Sequence, residues 1–248
     1  MAEFHACPVC RSRVPGFAPL PQSFLDMVRG YGFIHPVDQF ETLNLGAYSC
    51  PNCGAADRDR LYASFFEPVF VRLDRSRSHR FLEIAPAAAL SRWIRSHPHI
   101  AHRTCDLFMP GVDDKADIHD LPYADATYDF VLCSHVLEHV EDPVKAISEI
   151  RRVLKPNGVA LLMVPILLTL DETYEDPSIV TPQDRWKHFG QDDHVRIFSK
   201  KGFVETIRKG GLAVEEIPVT RMMSPAEAET LGIGTGSVLY LCSHVALA

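Results

Sequence analysis

The residues with the most explicit chemistry are four cysteines in two copies of one spacing, Cys7-Pro-Val-Cys10 and Cys50-Pro-Asn-Cys53-Gly. A Cys-x-x-Cys turn aims two thiolates at one ion, and two such knuckles complete a tetrahedral S4 set. The pattern predicts a structural Zn2+ on Cys7, Cys10, Cys50 and Cys53, because four thiolates leave no open position for substrate or water. A redox pair needs no second copy, and a reducing compartment disfavours a structural disulfide. Cys105 and Cys242, like Cys133, read as packing residues. A second set is imidazole. His135 and His139 follow the apolar run Tyr128–Cys133, and His194 lies in Gln191-Asp-Asp-His-Val-Arg196, with His188 nearby. A neutral imidazole is the natural base for a hydroxyl near pH 7, so His135, His194 and His139 are the candidate catalytic residues. A structural place at a helix start suits His139 equally well, and a solvated loop suits His194.

These groups need a frame, and hydrophobic spacing supplies one. From Arg80 onward, strand-like runs alternate with helical patterns, which predicts a mostly parallel sheet covered by helices on both faces. Expected strands are 81–85, 100–105, a weak one at 115–118, 128–133, 159–164, 212–218 and 237–244, the last antiparallel. Expected helices cover 88–96, 143–154 and 198–209; Asp142 caps the second with Pro143 in its first turn. Lys155-Pro-Asn-Gly158 reads as the turn that ends it. Ahead of the sheet, residues 1–56 read as a zinc-ribbon-like module and 57–79 as a connecting helix and linker. The 39 residues between the knuckles carry an apolar cluster of their own, including Phe24, Val28 and Phe33. Residues 166–196 form a lid-like insertion, too long for an ordinary strand-to-helix connection. Its Tyr174, Asp176, Trp186, His188, Phe189, Asp192 and Asp193 suit a sugar or another polyhydroxy or cationic molecule.

Composition narrows the function classes. The 248 residues are 46% hydrophobic and 23% charged, which fits one large domain plus an appendage and excludes disorder and coiled coil. The longest apolar run, Val159 to Leu170, is interrupted by Pro165 and is shorter than the roughly 18 residues of a membrane span. No secretory signal is legible at the start, so a cytoplasmic location without membrane attachment is expected. Net charge is −7, but residues 1–80 carry nine Arg, no Lys and eight acids, while the rest is strongly acidic. The larger part is thus poorly suited to phosphate backbones; Arg11, Arg13, Arg58 and Arg60 around the knuckles leave a nucleic-acid role open for the front.

The stretch from Asp117 to Pro165 resembles class I S-adenosylmethionine-dependent methyltransferases. It is carried by Asp-Ile-His-Asp-Leu-Pro-Tyr, by Tyr-Asp-Phe-Val-Leu-Cys-Ser-His-Val-Leu-Glu-His-Val and by Glu-Ile-Arg-Arg-Val-Leu-Lys-Pro-Asn-Gly. The likeness extends over about 170 residues and is greatest to an uncharacterised bacterial branch with a front Cys-Pro-x-Cys pair. It implies a Rossmann-like sheet, S-adenosyl-L-methionine as cofactor and methyl transfer. By the same resemblance Glu83, Ala85 and Ala87 stand in the first cofactor loop, where the superfamily has an acid and then Gly-x-Gly-x-Gly; alanine replaces all three glycines here. Such a loop remains passable to alanine if φ stays negative. Asp106 and Leu107 fall at the ribose, with both Asp106 oxygens expected to take the two hydroxyls. Asp117 and Ile118 fall at the adenine, Cys133 and Ser134 beside the methionine part.

The leading function is O- or N-methylation of a small molecule or glycan precursor. Two alternatives stay open: an RNA methyltransferase whose zinc module grips the substrate, and a non-catalytic cofactor-binding or docking protein. The zinc module is expected to form either a homodimer surface or part of the active-site wall.

Overall fold

The computed structural model describes residues 4–246. Its front end holds β1 (His5–Ala6) and β2 (Arg13–Val14), paired across the first knuckle, then α1 (Gln22–Gly30) and α2 (Asp57–Arg72). The frame follows as β3 (His79–Ile84), α3 (Ala88–Arg95), β4 (Ile100–Asp106), β5 (Asp114–Lys115), β6 (Tyr128–Ser134), α4 (Pro143–Val153) and β7 (Leu154–Met163). The insertion contributes β8 (Tyr174–Glu175), α5 (Pro182–Phe189) and β9 (Arg196–Ile197). The chain then runs through α6 (Lys200–Lys209), β10 (Ala213–Pro218), α7 (Val219–Met222), α8 (Pro225–Thr230) and β11 (Val238–Ser243).

Seven strands form one sheet in the order β10-β11-β7-β6-β3-β4-β5. β3 runs parallel to β4 and β6, β6 parallel to β7, and β11 antiparallel to both β7 and β10. This is the expected Rossmann-like methyltransferase sheet, with its antiparallel last strand. Strand order reverses at β3, between β4 and β6, and ligands of open α/β sheets bind outside the carboxyl ends of the strands at such a point. No described helix is long and apolar enough to cross a membrane.

Two local expectations are corrected. Lys155-Pro-Asn-Gly158 is not a turn but the first part of β7, which leaves α4 directly. The β6–β7 register shifts between Tyr128 and Phe130, and a Cβ on Gly158 would stand 2.9 Å from the Asp129 carbonyl oxygen. Glycine is needed for that close approach, and pairing with β6 overrides the turn chemistry. The weak third strand is only two residues long; Ala116 and Ile118 are buried beyond it.

The front end does not stand apart from the sheet. Cys7, Val9, Val14 and Cys50 belong to the same hydrophobic core as β3, β6 and β7. Phe66 on α2 meets Phe81 of β3 with ring centroids 5.2 Å apart, and Phe70 stacks on Trp93 at 5.6 Å. The segment between the knuckles is closed at its base by paired hydrogen bonds between Ala18 and Ser49, and its outer part pairs with the insertion. The Glu41 N–H donates to Ile166 (2.9 Å), the Leu168 N–H to Gln39 (3.0 Å), and Tyr31 stacks on Trp186 at 5.3 Å. Residue 56 is therefore not a break in the packing.

One side chain fastens three parts of the chain. Arg60 on α2 is wholly buried and donates to the carbonyls of Ala47, Tyr48, Ala55, Leu231 and Gly232, with its guanidinium 3.9 Å above the Phe17 ring. Removing it leaves five carbonyls to be satisfied in the interior. Arg60→Met, which keeps most of the stem, should destabilise the protein by on the order of 3–5 kcal/mol. Urea unfolding checks this: the midpoint should fall with the slope nearly unchanged. A loss within about 0.5 kcal/mol, the size of an ordinary surface effect, would remove the fastening role.

Candidate functional site

The carboxyl ends of β3, β4 and β6 bring the expected cofactor residues to one edge. Glu83 is buried, and its carboxylate accepts from the Ala87 N–H (3.1 Å), the Ser91 hydroxyl (2.6 Å) and His102 Nε2 (2.9 Å). It braces the first loop from beneath. Ala85 sits at φ 53°, in the left-handed region, whereas Ala87 has φ −90°. The expectation of negative φ throughout the loop thus fails at Ala85, where the sharp exit from β3 forces a conformation that favours glycine. Asp106 Oδ1 accepts from the Phe108 and Met109 N–H groups at 2.7 and 2.6 Å. That corrects the ribose expectation: the local turn takes one oxygen, and Oδ2 alone is open among the described residues. Leu107 is exposed beside it.

Asp117 accepts from the backbone and ring of His119, both at 2.8 Å, and these bonds hold its carboxyl below the usual range; Ile118 is buried. Ser134 ends β6 with its hydroxyl 2.8 Å from the Tyr62 phenol of α2. Cys133 is fully buried, and burial pushes its thiol well up, which fits packing and not nucleophilic chemistry.

Next to Ser134 opens a cavity of about 470 Å3, of the size that takes small molecules. None of Ala85, Asp106 and Asp117 lines it, so it lies beside the cofactor edge. Phe24, Val28, Phe33 and Phe40, all from between the knuckles, make its apolar wall. The apolar cluster between the knuckles is therefore part of the cavity wall. Asp57 and Arg58, at the start of α2, supply polar groups; Arg58 makes no ion pair among the described residues.

The three candidate catalytic histidines all reach this cavity. His135 leaves β6 at φ 58°, its N–H donating to Met163 at 2.9 Å, and its Nδ1 stands 3.3 Å from Glu138 Oε1. Burial, then the positive charge of Arg58, hold the His135 imidazole below its ordinary value. Burial likewise lowers His194. Glu138 is 1% exposed. Burial alone would raise its carboxyl, but the hydrogen-bonding proximity and charge of the surrounding histidines leave it lowered. His139 and His194 meet edge to face at 4.6 Å. His188 is elsewhere, bonded to the Tyr174 phenol at 2.7 Å, and Trp186 stacks on Tyr31, so both hold the insertion together.

Glu138, absent from the expected residues, is the group that joins these histidines. Its sequence signal is its place beside His139 after a strand end, where a lone glutamate between apolar residues and a histidine carries no spacing that marks a shared site. Arg196, buried, ties the insertion to its loop: the guanidinium donates to Leu137, Val140 and Glu141 carbonyls and pairs with Glu175 at 2.9 Å. The insertion is thereby fastened at the site.

At the front, the sulfurs of Cys7 and Cys53 are 3.8 Å apart, as are those of Cys10 and Cys50, and all four lie within 4.8 Å of one another. Sulfurs bound tetrahedrally at about 2.3 Å from one zinc stand about 3.8 Å apart, whereas a disulfide brings them to about 2.05 Å. Each knuckle closes through a left-handed residue: the N–H of Arg11 (φ 58°) donates to Cys7 and that of Gly54 (φ 79°) to Cys50. The arginines around the knuckles have separate roles. Arg60 is interior, Arg58 faces the cavity and Arg11 pairs with Glu67 at 3.3 Å; Arg13 is exposed.

Among known families, the model described as a methyltransferase domain matches residues 104–162. The chain is 27% identical over 110 residues to the ubiquinone/menaquinone biosynthesis C-methyltransferase UbiE of Bdellovibrio bacteriovorus, covering 40% of this chain and 47% of that one. It is 28% identical over 129 residues to a protein of Mycolicibacterium smegmatis described as a probable S-adenosylmethionine-dependent methyltransferase, covering 47% and 50%. The chain thus spans about half the length of these curated relatives. Among solved structures, the YcgJ protein of Bacillus subtilis is similar with a TM-score of 0.47 and 18% identity, over 75% of this chain and 100% of that one.

The left-handed alanine generates a stability prediction. Ala85→Gly should stabilise the protein by about 1 kcal/mol, because a Cβ in that region is strained. Ala87→Gly, at negative φ, should give no gain. Thermal unfolding of both decides it; equal effects would mean that Ala85 carries no special strain.

Proposed function

We propose that this chain transfers the methyl group of S-adenosyl-L-methionine to a hydroxyl or amine of a small molecule or glycan precursor. The observation that carries the reading is the cavity that opens at the end of β6, beside the cofactor edge and lined by His135, His139 and His194. When bound, the cofactor supplies a methyl carbon already activated by its sulfonium. What remains for the protein is to position the acceptor in line and exclude water.

Open groups at the expected cofactor edge fit the cofactor's parts: Asp106 Oδ2 for a ribose hydroxyl, Asp117 and the Ile118 N–H for adenine, and Ser134 at the methionine end. Glu83 acts indirectly, by holding the Ala85–Ala87 loop. His135, kept neutral by burial, is placed to accept a proton from an acceptor hydroxyl. The apolar wall and a cavity of small-molecule size favour a compact acceptor over RNA, and two of the four front arginines are no longer free for phosphate.

Zinc on Cys7, Cys10, Cys50 and Cys53 fits the sulfur spacing, and its chemistry would be structural: it clamps both ends of the segment that walls the cavity. Unpaired thiols throughout fit a reducing, cytoplasmic compartment.

Isothermal titration with S-adenosylmethionine and its demethylated product tests the cofactor site. Micromolar binding is expected, weakened at least tenfold in Asp106→Ala; no binding of either compound to the parent would overturn the reading. Steep loss of RNA affinity with added salt would instead support the nucleic-acid alternative. Elemental analysis should find one zinc per chain, lost in Cys50→Ser together with stability of the front segment. A metal-free parent that is equally stable would remove the S4 site.

A further inference from the structure

We propose that Glu138, His139 and His194 hold a divalent metal ion in the wall of the acceptor cavity, where it binds the acceptor's oxygen. The role given to the ion rests on the methyltransferase reading; the site itself rests on side-chain geometry. One donor atom from each of the three side chains lies within 4.8 Å of the other two. Two imidazole nitrogens and one carboxylate oxygen are a donor set that suits Mn2+, Fe2+, Co2+ or Zn2+ and leaves positions open.

The His194 imidazole is already set for ligation, and His139 is placed beside it. His194 Nδ1 lies 3.2 Å from the Phe189 carbonyl oxygen, which only an N–H can approach as a donor. Its Nε2 is then an unprotonated lone pair, and that atom is buried with no hydrogen-bond partner. His139 Nδ1 lies 3.2 Å from Asp193 Oδ2, while its Nε2 faces Glu138 Oε1 at 3.9 Å. A carboxylate or carbonyl on the far nitrogen is the usual support for a metal-bound histidine, since it fixes the tautomer and turns the ring.

The carboxylate makes the second, independent case. Both oxygens of Glu138 are buried and neither has a hydrogen-bond partner among the described residues; the 3.3 Å approach of His135 Nδ1 lacks hydrogen-bond geometry. A buried carboxylate without donors is costly unless a cation compensates it. The loop carrying it is also held firmly: the Val195 N–H donates to the Glu138 carbonyl at 2.9 Å, and Arg196 gathers the carbonyls of residues 137, 140 and 141. A rigidly held set of donors, its carboxylate without a hydrogen-bond partner among the described residues, is what a metal site needs before the ion arrives.

In the transfer step, the ion takes the acceptor's hydroxyl oxygen and lowers its pKa, as it does for bound water. The proton passes to the neutral His135 imidazole, which lines the same cavity. The oxygen then attacks the methyl carbon, forming the C–O bond as the S–C bond breaks and its electron pair returns to sulfur. Open adjacent positions favour acceptors with two neighbouring oxygens, such as a vicinal diol or catechol.

Mn2+ chloride is the probe, because this ion prefers nitrogen and oxygen donors to the thiolates at the front. The loss of the aqueous Mn2+ electron paramagnetic resonance signal reads its uptake by the zinc-loaded parent. One ion per chain is expected, with affinity at least tenfold lower in Glu138→Gln and in His194→Ala. Asp193→Asn, a change at an exposed position, should weaken binding about tenfold through His139. No uptake by the parent, or Glu138→Gln binding as tightly as the parent, overturns the site. Cofactor calorimetry on the same samples separates the two readings. Cofactor binding without Mn2+ uptake removes the metal and keeps the methyltransferase, while Mn2+ uptake without cofactor binding keeps the site and removes its role.

Discussion

The site depends on a charge placed where charges are expensive. Arg60 has no carboxylate partner among the described residues; its guanidinium is satisfied by five backbone carbonyls from two separate stretches, 47–55 and 231–232. Guanidinium suits this task because its donors form a rigid planar fork that cannot lose its proton. By holding those stretches against the start of α2, it sets where Asp57 and Arg58 enter the cavity and where Tyr48 closes it. A second buried arginine, Arg196, does the same for the opposite wall. The cavity is thus bounded by loops that would be soft on their own and are stiffened by two cations inside the protein.

What was legible in the sequence is what short-range patterns encode. Apolar runs such as Phe81–Ile84 and Tyr128–Cys133 gave strands close to their observed limits, and Asp142-Pro143 gave the start of α4, with the Asp142 carboxylate bonded to the Lys145 N–H at 2.9 Å. The paired cysteines were legible because four thiols at repeated spacing have few other uses. Where pairing overrides local chemistry, reading failed: Lys155-Pro-Asn-Gly158 has turn residues, yet β6 draws it into the sheet. The apolar cluster between the knuckles was visible, but its partner was not. Contacts such as Phe40 with Leu167 join residues over a hundred positions apart, and periodicity carries no information about them.

The backbone around the site was the least legible part. Ala85 and His135 end the adjacent strands β3 and β6, and both adopt left-handed conformations that residues with a Cβ avoid. Such conformations persist only where surrounding structure fixes them. Here Glu83 braces the loop that follows Ala85, and the bond from the His135 N–H to Met163 secures the other. The Ala85 exit stands at the edge that carries Glu83 and Asp106, and the His135 exit opens on the cavity.

The Arg60 fastening also dictates an order of assembly. Its acceptors at 47, 48 and 55 emerge early in synthesis, but those at Leu231 and Gly232 emerge about 170 residues after Arg60 itself. Closing such a loop is among the slower steps available to a folding chain, since its entropy must be spent before any contact is gained. The strands that carry Glu83, Asp106 and Ser134 lie within residues 79–134, so that edge of the sheet can form while the cavity wall is still loose. The stretch that brings Tyr48, Asp57 and Arg58 to the cavity is therefore fully fastened only once Leu231 and Gly232 are in place.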